Sequence, residues 1–470
     1  MAARIGVVGL AVMGANLALN IAEKGFPVAV YNRSPERTDI FINEEAGELA
    51  PRITATRSYA ELVASLTVPR AVLIMVKAGD PVDQVIADLA PLLEPGDMII
   101  DAGNANFHDT RRREAALREQ GLSFIGMGVS GGEEGARNGP AIMAGGKRES
   151  FEVIRDIVEA ISAKFQGAPC ADWMGPDGAG HFVKTVHNGI EYGDMQMIAE
   201  VWGLLRDGMG RSAADAGALF AAWNEGRLKS YLVEISGKVL SATDEKTGKP
   251  MVEVIVDKAG QKGTGRWTVI EALDLGQSAS TIEAAVGARS WSSEKPAREA
   301  GEALFPRAAK KVELSDEVLE QALLAAKIVA YSQGFSLLAA ASKTYGWDLE
   351  MGRVAEVWRE GCIIRSAMLD DMAAAARAGL PNGMLIQAPA FAALVGPASD
   401  ALRQVVAAAA MAGLPVPAFS SALAYFDTMR QGRGTTDLVQ GQRDFFGAHG
   451  FERTDGGAGH HGPWSLGVGY

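Results

Sequence analysis

Arg4-Ile5-Gly6-Val7-Val8-Gly9-Leu10-Ala11-Val12-Met13-Gly14 is the stretch on which the architecture turns. A short apolar run ends at Gly9, and a helical pattern opens after Gly14, from Ala15 to about Glu23. A strand that turns tightly into a helix leaves the first helical N–H groups free to face a pyrophosphate, and the glycines permit the turn and the close helix–strand approach. Ala11 stands where a middle Gly is usual, so that position must accept a methyl group beside the ligand. Gly-rich turns are common; it is the place of this one, at the first strand–helix junction, that points to a dinucleotide.

Outward from this turn, short apolar runs alternate with helical stretches up to about residue 175. The expected strands are Arg4–Gly9, Val28–Tyr31, Ala71–Val76, Met98–Asp101 and Ser123–Gly126. Such alternation predicts an α/β Rossmann-type N-terminal domain with a mostly parallel, doubly wound sheet. A Gly-rich hinge, Trp173 to Gly180, follows, and from His181 to about Phe426 the pattern becomes that of a large all-α domain. The last forty residues are rich in Gly, Arg and His and too few to bury a core of their own, so they must dock on their own domains or on a partner subunit. The expected division is 1–178, 179–430 and a C-terminal tail, 431–470.

Composition narrows the class. The 57 acidic against 45 basic side chains give a formal charge of -12, which disfavours nucleic acid and anionic membranes and requires any anionic ligand to be held by a local cluster of cations. Cys170 and Cys362 are too few for a disulfide framework or a thiolate metal site, and the sequence offers no metal-binding pattern. No targeting segment is evident. Gln404–Phe426 carries no formal charge, but Gly413, Pro415 and Pro417 interrupt it, so it reads as two buried helices joined by a turn and not as a membrane span. A cytoplasmic protein is expected.

The second strand selects the cofactor. An NAD site usually ends that strand in an acid; here Asn32-Arg33-Ser34 follows, with Arg37 close behind. A cation and a hydroxyl suit a 2′-phosphate, so NADP is preferred over the bland reading of a solvated turn.

Farther along, Lys184, His187, Asn188, Glu191 and Tyr192 fall within an arc of roughly 140° on one helical face, while Val183, Val186 and Ile190 take other faces. A solvated stripe is the plain alternative. The mixture of amine, imidazole, amide, acid and phenol, placed just after the hinge, argues instead for a cleft in which a Lys and a Glu two turns apart serve as separate proton acceptor and donor. Asn104 follows a strand's carboxyl end, Ser130-Gly131-Gly132 forms a turn suited to a carboxylate, and Lys262, Thr264, Arg289, Arg443 and His449 supply groups for an anion clamp.

Taken together, Gly9-Leu10-Ala11-Val12-Met13-Gly14-Ala15-Asn16-Leu17, Asn32-Arg33-Ser34, Val76-Lys77-Ala78-Gly79, Ser130-Gly131-Gly132-Glu133-Glu134-Gly135-Ala136-Arg137, the Lys184–Tyr192 stripe, Lys262-Gly263-Thr264-Gly265-Arg266-Trp267-Thr268 and Gln442-Arg443-Asp444-Phe445-Phe446-Gly447-Ala448-His449 resemble the long, dimeric form of the 6-phosphogluconate dehydrogenases, decarboxylating oxidoreductases of the pentose phosphate pathway. The resemblance implies that Lys184 takes the C3 hydroxyl proton as hydride leaves for NADP, and that Glu191 protonates C1 of the enediol left by decarboxylation. It implies that Asn104, Ser130, Gly131, Gly132, His187 and Asn188 surround the sugar acid. Tyr192, Lys262, Thr264 and Arg289 would bind its phosphate, joined by Arg443 and His449 from the other subunit of a homodimer. Gly9, Leu10, Ala11, Val12, Met13 and Gly14 would hold the dinucleotide, Asn32, Arg33 and Ser34 its 2′-phosphate, with Val76, Lys77, Ala78 and Asn104 along it. The β-keto carbonyl is the electron sink, so no metal is implied.

Ala102, Ala105, Ala141 and Ala144 depart from the family's usual Gly, Ser, Ser and Pro, which bears on affinity and rate and not on reaction type. Two alternatives are weaker. A β-hydroxyacid dehydrogenase of the 3-hydroxyisobutyrate type is shorter and lacks the phosphate clamp and tail. A silent NADP-binding sensor has no use for an acid and a base two turns apart.

Overall fold

The computed structural model describes residues 2–261, 263–306 and 310–465. They form two compact units, Met1–Ala422 and Leu423–Tyr470.

The first unit opens with β1 (Ile5–Val8), β2 (Val28–Tyr31), β3 (Ile53–Ala55), β4 (Ala71–Ile74), β5 (Met98–Asp101), β6 (Ser123–Val129) and β7 (Ile142–Gly146). A two-residue pair, β8 (Lys164–Phe165) with β9 (Ala168–Pro169), precedes β10 (Ala171–Gly175). The main sheet runs β10-β7-β6-β5-β4-β1-β2-β3. Every neighbouring pair in it is parallel except β6 with β7. Apolar clusters cover both faces: Leu17, Ile21, Val30 and Phe151 on one, Leu62, Val72, Val82 and Phe124 on the other. A sheet buried on both sides explains why β1, β4 and β5 read as continuous apolar runs instead of alternating. The strand order reverses between β1 and β4, and the crevice beyond their carboxyl ends is where such sheets bind ligands.

All five expected strands are present. Three members of the sheet escape a reading by apolar runs. β3 is three residues long with two of them exposed, β7 is Ile-Met-Ala-Gly-Gly, and β10 runs into the stretch read as hinge. That stretch is no swinging joint. The strand continues to Gly175, and Asp177 accepts hydrogen bonds from Trp347 Nε1 at 2.7 Å and Arg111 Nε at 3.1 Å, fixing the start of the next helix. The first helix also begins earlier than Ala15, at Val12.

Helices dominate from Ala179 onward. Gln404–Phe426 does contain two helices, Pro389–Ala412 and Pro417–Met429, the first ended by Gly413 at φ 68°. Among the described residues the helix long and apolar enough to cross a membrane is a different one, Asp316–Tyr345; 89% of its apolar window is buried in protein. Lys327 within it is fully buried against Asp194, with Nζ 2.6 Å from each carboxylate oxygen.

Candidate active site

The Ala179–Gly203 helix lies against β6 and carries the polar stripe. Its polar members are not solvated: Lys184 is 5% exposed, His187 0% and Asn188 8%. Gly128 on β6 makes room for the lysine stem, since a Cβ at 128 would sit 2.4 Å from Lys184 Cβ.

Buried polar groups must find partners, and these find one another. Lys184 Nζ donates to Ser130 Oγ at 2.9 Å and to Asn188 Oδ1 at 2.8 Å. His187 lies with Nε2 3.3 Å from Ser130 Oγ and Nδ1 3.0 Å from Asn188 Oδ1. One proton arrangement satisfies the whole ring: Ser130 donates its hydroxyl to His187 Nε2, and His187 donates Nδ1–H to Asn188. Asn188 Nδ2 then donates to Thr264 Oγ1 at 3.1 Å, tying the stripe to the Thr264–Asp274 helix. Glu191 Oε2 lies 3.8 Å from His187 Nδ1, its side chain 20% exposed at the opening.

Burial pushes the Lys184 amine below its ordinary value, opposed by the Glu191 charge. Burial pushes the Glu191 carboxyl up, opposed by Lys184 and Arg289. His187 is held well down by burial and then by Lys184, so it stays neutral, as the hydrogen-bonded ring requires. An amine that releases its proton readily beside a carboxyl that keeps one is the right sense for a base and an acid. Cys362, fully buried nearby, has its thiol pushed up to about 12 by burial and is no nucleophile.

One turn farther, the Arg289 guanidinium sits 3.6 Å from the centre of the Tyr192 ring. Lys262 lies outside the described residues.

A cavity of about 710 Å³ is lined by Met75, Val76, Lys77, Ala78, Gly103 and Asn104 on the sheet side. Gln261, Gly263, Arg266 and Trp267 face them from the helical side. Met75, Gly103, Gln261, Gly263, Arg266 and Trp267 lie outside the expected site residues; Gly263, Arg266 and Trp267 sit within a quoted motif, and the others carry no signal of their own. At the fingerprint turn, a Cβ on Gly14 would come 1.9 Å from Gly9 O, and the following helix has no acid in its first turn. Both features fit a dinucleotide diphosphate held by backbone N–H groups.

At the end of β2, Asn32 Oδ1 accepts from Leu10 N at 3.0 Å, and Arg33 is exposed. Ser34 Oγ donates to Glu36 Oε2 at 2.7 Å, so that hydroxyl must turn to meet a phosphate. Arg37 is engaged elsewhere, with Nη1 and Nη2 2.5 and 2.8 Å from the Glu45 carboxylate oxygens.

Arg443 and His449 belong to the C-terminal unit. Arg443 Nη1 donates to Gln440 Oε1 at 3.1 Å, and His449 lines a 780 Å³ cavity with Gln440, Phe451 and Trp464. The unit centres on Asp444, whose carboxylate accepts from Gly450 N, Gly462 N, Trp464 Nε1 and the ring of His461 at 2.6–3.0 Å. These contacts, that of Gly462 first, hold its carboxyl down to about 2. His461, although 45% exposed, is thus half of a structural pair.

Two family models cover the chain: the NAD binding domain of 6-phosphogluconate dehydrogenase matches residues 4–175, and the 6-phosphogluconate dehydrogenase C-terminal domain matches 180–464. A Bacillus subtilis protein named 6-phosphogluconate dehydrogenase, NADP(+)-dependent, decarboxylating is 49% identical over 96% of this chain and 97% of its own. A Synechococcus elongatus 6-phosphogluconate dehydrogenase, decarboxylating, is 47% identical over 98% and 99%. The solved Plasmodium falciparum 6-phosphogluconate dehydrogenase, studied in its apo form, with its cofactor NADP+ and with its substrate 6-phosphogluconate, superposes with a TM-score of 0.94. It is 38% identical, and the match covers 98% of this chain and 100% of that one.

Proposed function

The chain belongs to the 6-phosphogluconate dehydrogenase family, and on that footing we propose that its cleft converts 6-phospho-D-gluconate to D-ribulose 5-phosphate and carbon dioxide with Lys184 as base and Glu191 as acid. It is an NADP-dependent, decarboxylating oxidoreductase. The observation that carries the residue roles is the buried ring of Lys184, Ser130, His187 and Asn188 with Glu191 at its mouth.

NADP, when bound, supplies the acceptor for the hydride from C3. Lys184 Nζ takes the C3 hydroxyl proton, a role its burial-depressed basicity favours. Ser130 and Asn188 accept from the same nitrogen and so aim its lone pair. When the C1–C2 bond breaks, its electron pair moves into the C2–C3 bond, and Lys184 returns the proton to the C3 oxygen. Glu191, which holds its proton longer than an ordinary carboxyl, then protonates the former C2. Asn104, Gly131, Gly132 and His187 complete the enclosure of the sugar acid in this reading. Tyr192, Lys262, Thr264 and Arg289 take its phosphate, Asn32, Arg33 and Ser34 the 2′-phosphate of NADP, and Gly9 to Gly14 with Val76, Lys77 and Ala78 the rest of the dinucleotide.

The division into 1–178 for cofactor, 179–430 for substrate and dimerisation, and 431–470 as tail is part of the same proposal, as are a homodimer and a cytoplasmic location. The exposed Phe305 and Leu304 of the helical part, and Phe445, Phe446 and Leu438 of the tail, support surfaces that a second copy covers, with Arg443 and His449 joining its phosphate site. Turnover tests the reaction: NADPH and carbon dioxide appear together from 6-phosphogluconate and neither appears from 3-hydroxyisobutyrate. The reverse preference overturns the reading.

A further inference from the structure

Arg37 lies four residues beyond Arg33, in the first turn of the Pro35–Ile40 helix, where a second cation for the 2′-phosphate is the obvious expectation. Its contacts point elsewhere. Nε donates to the carbonyl oxygen of Leu10 at 2.7 Å, and the other two nitrogens grip Glu45 side by side. Glu45 closes the π-helical turn Phe41–Glu45, which follows directly on that helix. A planar fork whose two terminal nitrogens are held by a carboxylate has its Nε–H fixed in direction on another edge, and here that N–H meets backbone.

Leu10 lies between Gly9, at φ 94°, and Ala11, the N-cap of the Val12–Glu23 helix. Its N–H is already taken by Asn32 Oδ1 at 3.0 Å. With Arg37 on its carbonyl, both peptide planes flanking Leu10 are fixed by side chains from the end of β2. The planes of Ala11, Val12 and Met13 follow in sequence, and their N–H groups are the ones that face a diphosphate. Neither Asn32 nor Arg37 need touch the ligand to do this.

We propose that Arg37, braced by Glu45, is a positioning residue that orients the diphosphate-binding turn through Leu10, and therefore strengthens NAD and NADP binding alike. It is not a determinant of the choice between them; that falls to Arg33, which is exposed and has no carboxylate within ion-pair distance among the described residues. The inference rests on the reading of Gly9–Gly14 as the diphosphate site.

Calorimetric titration of the apo protein with NADP, NAD, ADP and 2′,5′-ADP tests it without turnover. Binding of all four to the unaltered protein checks the underlying reading by itself. For Arg37→Met the expected result is a rise of about tenfold in Kd for every ligand, about 1.4 kcal/mol, with the NADP-to-NAD ratio unchanged within twofold. Arg33→Ala is expected to weaken NADP and 2′,5′-ADP while sparing NAD and ADP. Glu45→Gln, which loses the charge and one of the two acceptors, is expected to reproduce part of the Arg37 effect and serves if Arg37→Met does not fold. At saturating NADP, kcat and the KM for 6-phosphogluconate stay as they are. A loss confined to the ligands with a 2′-phosphate, or no change in any Kd, overturns the proposal.

Discussion

The two walls of the cleft recognise their ligands by different means. The sheet wall is made of turns: Gly9 to Gly14 and Val76 to Ala78 present backbone at the carboxyl ends of β1 and β4. The helix wall is made of side chains buried against one another, with Lys184, Ser130, His187 and Asn188 closing a ring that leaves no member free to turn alone. A backbone site tolerates exchange of most side chains around it and loses affinity when the turn is distorted. A buried side-chain site loses chemistry when any proton carrier is removed. Substitutions on the helix wall should therefore lower kcat, and those on the sheet wall should raise Kd.

The sharpest way to break this contrast is Lys184→Met. We expect turnover to fall by about 10³-fold or more through loss of the general base, with NADP affinity unchanged by calorimetry. Near-normal NADPH formation in that variant removes Lys184 from its role. Glu191→Gln comes next, with product formation about 10²-fold slower. The pH dependence has a defined sign: activity rises as pH climbs through the lowered Lys184 value and frees the amine, and declines as pH climbs through the raised Glu191 value and strips the acid. Glu191→Gln should abolish the alkaline decline; a profile that keeps it assigns that limb to another group. On the sheet wall, Arg33→Glu should shift preference toward NAD by about tenfold or more through Kd and KM, and a change in kcat instead would erase the distinction between the walls. The smallest effect is reserved for Glu36→Gln. Deleting the exposed negative charge beside Ser34 should tighten NADP by about two- to threefold, read as KM, without altering NAD.

The same contrast explains what could be read in advance. Turns on the sheet wall are written locally, in glycine spacing and strand polarity, so the fingerprint and the missing acid after β2 are visible from Arg4 to Arg37. The five-residue stripe was equally legible because helical periodicity gathers Lys184 to Tyr192 without help from the fold. Its burial was not, since that depends on the Ala179–Gly203 helix pressing on β6, where only Gly128 leaves space for a lysine stem. Nor could spacing foretell that Arg37 turns from the ligand to Leu10, because its partner Glu45 sits on a π-helical turn that no apolar pattern announces. β7 and β10 stayed hidden for a related reason: pairing with neighbours, and not intrinsic preference, makes strands of Ile-Met-Ala-Gly-Gly and Ala-Asp-Trp-Met-Gly.

The C-terminal unit is organised differently from either wall, around the single carboxylate of Asp444. One carboxylate thus gathers Gly450, His461, Gly462 and Trp464, so its loss would loosen all of them together. If Arg443 and His449 reach the sugar phosphate as proposed, a residue that touches neither ligand then governs capture of the sugar acid while leaving the nucleotide turn as it is.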